Sequence, residues 1–268
     1  MSEFSMRKRI LSVAILTVPL VAMAQDGKVE DASQGKWNLG LGVSARTGTY
    51  LGQKDKVMPF PVLSYEGERL FLRGGYGGLH LLNNDSFSVS AIVSGKFDGL
   101  DVKDMKESTL AKYGLSRSQL EDRKMGADVG IEAAWKGRYG VLAAQALTDA
   151  TGASKAAEAK LNYQYFWQVG NRWTIVPNVG LTWMSEKRAN YYYGTLDKEV
   201  ARGVASYKPG SLVIPHLSLG ATYAINADWK LTGVVSHQIL PDKATASPLI
   251  QKDKEGVTNI FVGVSRSF

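Results

Sequence analysis

The sequence predicts an all-β fold: a transmembrane, antiparallel, up-and-down β-barrel with short turns at one end and long loops at the other. Three observations predict it. Apolar and polar residues alternate with a period of two in segment after segment, the pattern of strands whose faces meet different solvents. Apart from a leader at the start, no stretch is apolar and long enough to cross a bilayer as a helix, so any crossing has to be made by strands. The chain also ends on such a strand, residues 257–268, VTNIFVGVSRSF. Phe268, Val264, Val262 and Ile260 share one face of it, interrupted by Arg266; Ser267, Ser265, Gly263 and Asn259 share the other, with Phe261 the exception. Gly263 and Phe268 mark this as the barrel-closing terminus.

From the N-terminus, Arg7, Lys8 and Arg9 precede an apolar run from Ile10 to Ala22, followed by Ala22-Met23-Ala24. That is the charged region, apolar core and small-residue cleavage site of a secretory signal, so residues 1–24 are expected to be removed. Residues 25–35 read as a short polar tether, and 36–268 as the barrel. Losing the leader's three basic residues and one acidic residue lowers the formal charge from +7 to +5. A mildly basic chain with 10% aromatics suits contact with anionic lipid heads or polymers and is too diffuse to argue for nucleic acid. The chain has no cysteine, which excludes disulfides and a lipidated N-terminal cysteine.

The first strand is Trp37 to Ala45, with odd positions apolar and even positions small or polar. The same phase recurs in the segments beginning at Phe87, Met125, Leu161, Trp173, Val213 and Trp229. Even positions carry Asp128, Glu132, Glu158 and Lys160, charges that suit a wet lumen better than a dry core and are the candidate lumen lining. Glu66-Gly67, Asn83-Asn84-Asp85, Lys136-Gly137, Gly170-Asn171 and Asn226-Ala227-Asp228 have tight-turn chemistry. Residues 47–56, 99–122, 149–154, 186–210 and 240–256 form longer connections. In an outer-membrane barrel the short ends are periplasmic.

A barrel that starts and ends in the periplasm has an even number of strands. Breaking the run Arg69 to Leu82 at Gly74-Gly75 gives twelve; treating Val57–Tyr65, with Pro59 and Pro61, as a loop gives ten. Twelve is preferred, although it makes two pieces shorter than the roughly nine to eleven residues of a spanning strand. Trp37, Trp135, Trp167, Trp173 and Trp229 lie beside the first strand's start or the tight turns, on the outward face, as an interfacial girdle requires.

Candidate site chemistry is sparse. His80, His216 and His237 sit on different strands and there is no cysteine, so no metal site and no cofactor site is expected. His216 and Ser218 share a strand face, as a base and nucleophile would, but that face is the lumen and no third group orients the histidine. Polar lumen lining is the preferred reading and no catalytic residue is assigned. The longest loop carries Tyr191, Tyr192, Tyr193 and Gly194, then Arg202. Tyrosines offer rigid contact area, so this is a candidate interaction loop; packing over the barrel mouth is the alternative. Arg123 is expected to bridge a lumen or rim carboxylate such as Asp128, a structural role preferred over ligand binding. The glycines of 74–78 have no following helix and so form no phosphate cradle.

Tyr50-Leu51-Gly52, Pro61 to Gly67 (PVLSYEG), Phe71-Leu72-Arg73-Gly74, Leu120 to Arg123 (LEDR), Tyr191 to Gly194 (YYYG), Ser247-Pro248 and terminal Phe268 occur in this order through nearly the whole mature chain. In their order and spacing the chain resembles the MipA/OmpV family of outer-membrane proteins, the MltA-interacting protein-like family. Arg266 departs from it, standing where the family carries an aromatic or apolar residue. The resemblance implies a non-enzymatic barrel in the Gram-negative outer membrane, surrounded by outer-membrane lipid. It further implies either a scaffold for a lytic transglycosylase and a penicillin-binding protein or a surface-interaction protein. The charged even positions motivate a narrow solute channel as the alternative, and His216-x-Ser218 a lipid A hydrolase as a further one.

Overall fold

A computed structural model describes residues 36–251 and 253–268; the leader and tether expected for 1–35 lie outside the described residues. Thirteen strand segments form one antiparallel sheet: β1 (Lys36–Arg46), β2 (Lys56–Glu66), β3 (Leu70–Arg73), β4 (Tyr76–Asn83), β5 (Phe87–Lys96), β6 (Gly126–Gly137) and β7 (Gly140–Asp149), then β8 (Ala157–Gln164), β9 (Trp167–Val169), β10 (Trp173–Met184), β11 (Leu212–Ala224), β12 (Trp229–Ile239) and β13 (Gly256–Ser267). Each strand pairs with its sequence neighbour, and β13 pairs with β1 from Asn38↔Ser267 to Arg46↔Asn259, so the sheet closes on itself. β8 and β9 both pair with β10 and are two pieces of one interrupted strand, which makes the wall twelve strands. The interruption has a local cause. Tyr165 donates its backbone N–H to Pro177 O (3.1 Å), and Pro177 has no N–H with which to return the bond.

Pro59 and Pro61 do not remove β2 from the barrel, because of the side they face. Leu63 O accepts from Gly74 N (3.1 Å), so the backbone of Leu63, and by alternation that of Pro61 and Pro59, points toward β3. β3 is four residues long and reaches only Ser64, Tyr65 and Glu66 of β2. The proline nitrogens therefore face an edge with no partner strand, while the ladder to β1 runs unbroken from Lys36↔Glu66 to Arg46↔Lys56. The turn that ends β3 falls at Gly74-Gly75, with Gly74 at φ +59°, where a side chain would be strained.

The two faces separate as the alternation requires. Outward residues such as Leu41 (70% exposed) and Ile131 (55%) form an apolar band, while inward Asp128 (3%) and Glu158 (1%) are buried. Phe261, the apolar exception on the inward face of β13, is also buried and meets Phe60 edge-on at 5.7 Å between ring centres. It can lie flat against the wall because Gly42 and Gly263 flank it; a Cβ on either would stand 2.5 and 2.6 Å from its ring. Arg266 faces outward at the short-turn end, its guanidinium 5.0 Å from the Phe268 ring centre and 3.8 Å from Asp228. It thus keeps its charge at the polar boundary of the apolar band.

The long connections fold over one mouth. They carry α1 (Glu107–Lys112), α2 (Glu186–Tyr193), α3 (Asp197–Ala201) and α4 (Asp242–Thr245). The largest hydrophobic core of the molecule lies here rather than in the wall: Leu51, Met105, Leu110, Ala189, Leu249 and Ile250 are fully buried together. Bridges Tyr50↔Ile250 and Gln53↔Met105 tie loops to one another, and Leu100↔Arg123 closes the β5–β6 loop on itself.

Candidate functional site

The interior divides into a densely packed outer half and a roomier inner half. In the outer half, Arg188 on α2 reaches down to the wall and donates to both carboxylate oxygens of Asp128 on β6, each at 2.7 Å. Its Nη1 also lies 3.4 Å from Glu158 on β8. Glu158 accepts from Lys96 Nζ at 2.7 Å and has Lys160 at 3.2 Å; Lys96 continues to Asp98 (3.0 Å) and Asp98 to Arg46 (3.4 Å). Burial favours the neutral form of the Asp98 carboxyl, but the cations of Lys96 and Arg46 outweigh it and hold that carboxyl well below the usual range. Each buried charge thus has an opposite neighbour, the condition under which charges are tolerated away from water. The residual space among them is about 140 Å³.

Above this network a second buried pair fastens the cap. Arg123 Nη1 and Nη2 donate to the two oxygens of Glu199 on α3, both at 2.8 Å, with neither side chain exposed. Arg123 further donates to the carbonyls of Glu121, Tyr191 and Gly194, and Glu199 accepts from the backbone of Glu121 and Leu196. Arg123 does bridge a rim carboxylate, as expected, but the partner differs from the example of Asp128: Asp128 is taken by Arg188, and the loop carrying α3 brings Glu199 to Arg123. The LEDR segment is therefore the wall-side half of a clasp between two loops.

The remaining sequence-predicted residues have defined places. Glu132 is buried on the lumen face, accepts from Gln145 Nε2 (2.6 Å) and lies 3.8 Å from Arg73. Tyr192 and Tyr193 are buried inside the cap, and burial pushes both phenols up from their ordinary value. Tyr191 is half-buried, its hydroxyl accepting from Lys124 N at 2.8 Å. Gly194 lends its carbonyl to Arg123, and Arg202 is exposed in a pair with Glu121 at 2.6 Å. These tyrosines pack the cap; of this group only Arg202 presents its side chain largely to solvent. Gly263 abuts Phe261, and Phe268 donates its backbone N–H to Trp37 O at 2.9 Å, the last bond of the closing seam. His216 Nε2 is 2.7 Å from Asn162 Oδ1 rather than bonded to Ser218. Among the described residues no group of three or more metal-ligating side chains is assembled.

The inner half is a vestibule of about 900 Å³ on the short-turn side. Phe60, Val62, Phe166, Val176, Val234 and Phe261 give it an apolar belt, and Asn178 and Ser218 form the partition between it and the outer half. Its charged lining is Arg73, Arg172 and Lys230, without a carboxylate. Lys230, an even position of the strand that begins at Trp229, falls on the lumen face by alternation, but no sequence signal distinguishes it as part of a cavity, because the belt is gathered from strands far apart in the chain.

Residues 39–268 match the family model described as MltA-interacting protein MipA. The chain is 31% identical over 239 residues to the MltA-interacting protein of Escherichia coli strain K12, covering 88% of this chain and 92% of that one. It is 23% identical over 226 residues to outer membrane protein Omp26La of Vibrio anguillarum, covering 75% and 88%. Among solved structures, the translocator domain of the autotransporter NalP from Neisseria meningitidis aligns with a TM-score of 0.44 and 10% identity, over 91% of each chain.

Proposed function

The chain belongs to the MltA-interacting protein MipA family of outer-membrane β-barrels, and from that premise we propose that it is a non-enzymatic scaffold whose working face is the periplasmic one. In this reading the short turns and the rim of the vestibule hold a lytic transglycosylase, the partner class its E. coli relative's name indicates, and bring it to a murein synthase of the penicillin-binding type. The observation that carries the reading is the closure of the outer mouth. A hydrophobic core and two sets of buried ion pairs occupy the space an open pore would need, which leaves the periplasmic end as the accessible concave surface. Lipid contacts the outward apolar band, and the polypeptide reaches the membrane through export and removal of residues 1–24.

A tagged copy crosslinked in intact envelopes, purified and read by mass spectrometry, tests the proposal. Enrichment of a murein hydrolase together with a penicillin-binding protein is expected. Enrichment of neither, in envelopes where both are abundant, overturns it. N-terminal sequencing of the purified protein is expected to begin at Gln25.

A further inference from the structure

We propose that the vestibule is a binding site for a small organic anion with an apolar body, a ligand class of which a medium-chain carboxylate is the simplest member. Three independent features converge on it. The first is charge: the lining contains Arg73, Arg172 and Lys230 and no carboxylate. Arg73 is neutralised by Glu66, with contacts of 2.9 and 3.0 Å. Among the described residues the Arg172 side chain bonds only the hydroxyl of Tyr223 (3.1 Å) and Lys230 makes no ion pair. Two cations without counter-charges thus sit on either side of β11, one in the turn before β10 and one on β12, at the mouth of one cavity, where they focus a positive field.

The second feature is the apolar belt. A barrel lumen is ordinarily polar, yet here six apolar side chains line the cavity behind the cations, including the edge-on pair Phe60 and Phe261. The third feature is an unmet hydrogen-bond donor. Asn178, 5% exposed, stands at the partition, and its Nδ2 has no acceptor in the protein. A buried amide left unpaired is costly, and an acceptor on a ligand would satisfy it. Cations at the mouth and an apolar belt behind them describe a site for an anionic head on an apolar body, and the unmet donor at the far end would further favour a body that ends in a hydrogen-bond acceptor. This inference does not rest on the scaffold reading: each could fail without the other.

The test uses the full mature chain in nanodiscs of zwitterionic lipid, titrated with octanoate and, as the charge control, octylammonium, with empty nanodiscs subtracted. Saturable one-site octanoate binding is expected, with no comparable octylammonium binding. Replacing both free cations (Lys230→Gln with Arg172→Gln) is expected to weaken octanoate by about tenfold or more. A second variant separates site from surface charge. A Cβ on Gly220, which lines the vestibule, would meet nothing closer than 3.7 Å, so Gly220→Leu fills the cavity without straining the wall. It is expected to abolish saturable binding while the purified protein keeps its strand signature by circular dichroism. Absence of saturable octanoate binding, equal binding of octylammonium, or undiminished binding in folded Gly220→Leu each overturns the proposal.

Discussion

Removing one half of the buried clasp between the outer loops should loosen the cap and leave the barrel standing. Glu199→Ala would leave the Arg123 guanidinium fully buried with its carboxylate gone and only three backbone carbonyls remaining. Deleting one partner of such a pair costs about 3–5 kcal/mol, because the survivor stays charged without compensation. The wall is held by its own closed ladder, so the loss is expected to be local. At about 1.4 kcal/mol per tenfold, amides in 97–125 and 185–211 should exchange roughly two to three and a half orders of magnitude faster, limited by the rate at which the cap opens. Amides in β10 to β13 should be unchanged. The double replacement Arg123→Met with Glu199→Leu, which removes both charges and refills the space, should recover most of the protection. Hydrogen exchange with mass spectrometry reads wild type and both variants. Exchange in the two loops within about threefold of wild type for Glu199→Ala would refute the reasoning that this pair fastens the cap.

Other outcomes follow from the same geometry. The wild-type barrel should show no reproducible conductance steps in planar bilayers, whereas Arg188→Ala, which cuts α2 from Asp128 and leaves the lumen carboxylates under-compensated, should produce steps or flicker. Phe261→Ala empties the contact with Phe60 and Val234 and should cost about 3–5 kcal/mol in equilibrium unfolding, the usual range for a buried phenylalanine. The cap should weaken in alkali: with the phenols of Tyr50, Tyr192 and Tyr193 raised by burial, the folded state keeps protons that the unfolded loops release above pH about 10. Stability is therefore full below that pH and falls as pH rises, and Tyr192→Phe with Tyr193→Phe should lessen the fall when tyrosinate absorbance and loop proteolysis are followed together. Pro61→Ala should change unfolding by less than about 1 kcal/mol, since the added N–H faces an edge without a partner strand.

The wall was legible in the sequence because its signal is local. A period of two assigns each side chain to lipid or lumen, and parity with the Gly74-Gly75 break gives twelve strands. Even the exceptions had local causes once their side was known, as with Pro59 and Pro61 on the free edge of β2. The cap was not legible in the same way. Its clasp joins residues 76 apart, and its core collects Leu51, Met105, Ala189 and Ile250 from four loops with no common period. Arg123 was therefore paired with Asp128, a near neighbour in sequence, when the carboxylate that meets it comes from α3. Tyr191 to Tyr193 carried the same ambiguity: a run of tyrosines in a long loop has one composition whether it faces solvent or packs inward, and only the tertiary contacts decide. The vestibule was hidden for a further reason, since a cavity consists of what side chains leave unfilled, as at Gly220.

On the proposed function, the closed outer mouth leaves the periplasmic end as the place of partnership. Photo-crosslinking in living cells tests it directly, with a photoreactive side chain placed singly at exposed turn positions Asn171 and Asn226, and at exposed outer-loop positions Lys112 and Lys198. Adducts containing a murein hydrolase or a penicillin-binding protein are predicted from the turn positions and not from the outer-loop positions. Protein adducts from the outer loops alone, with none from the turns, would contradict the claim.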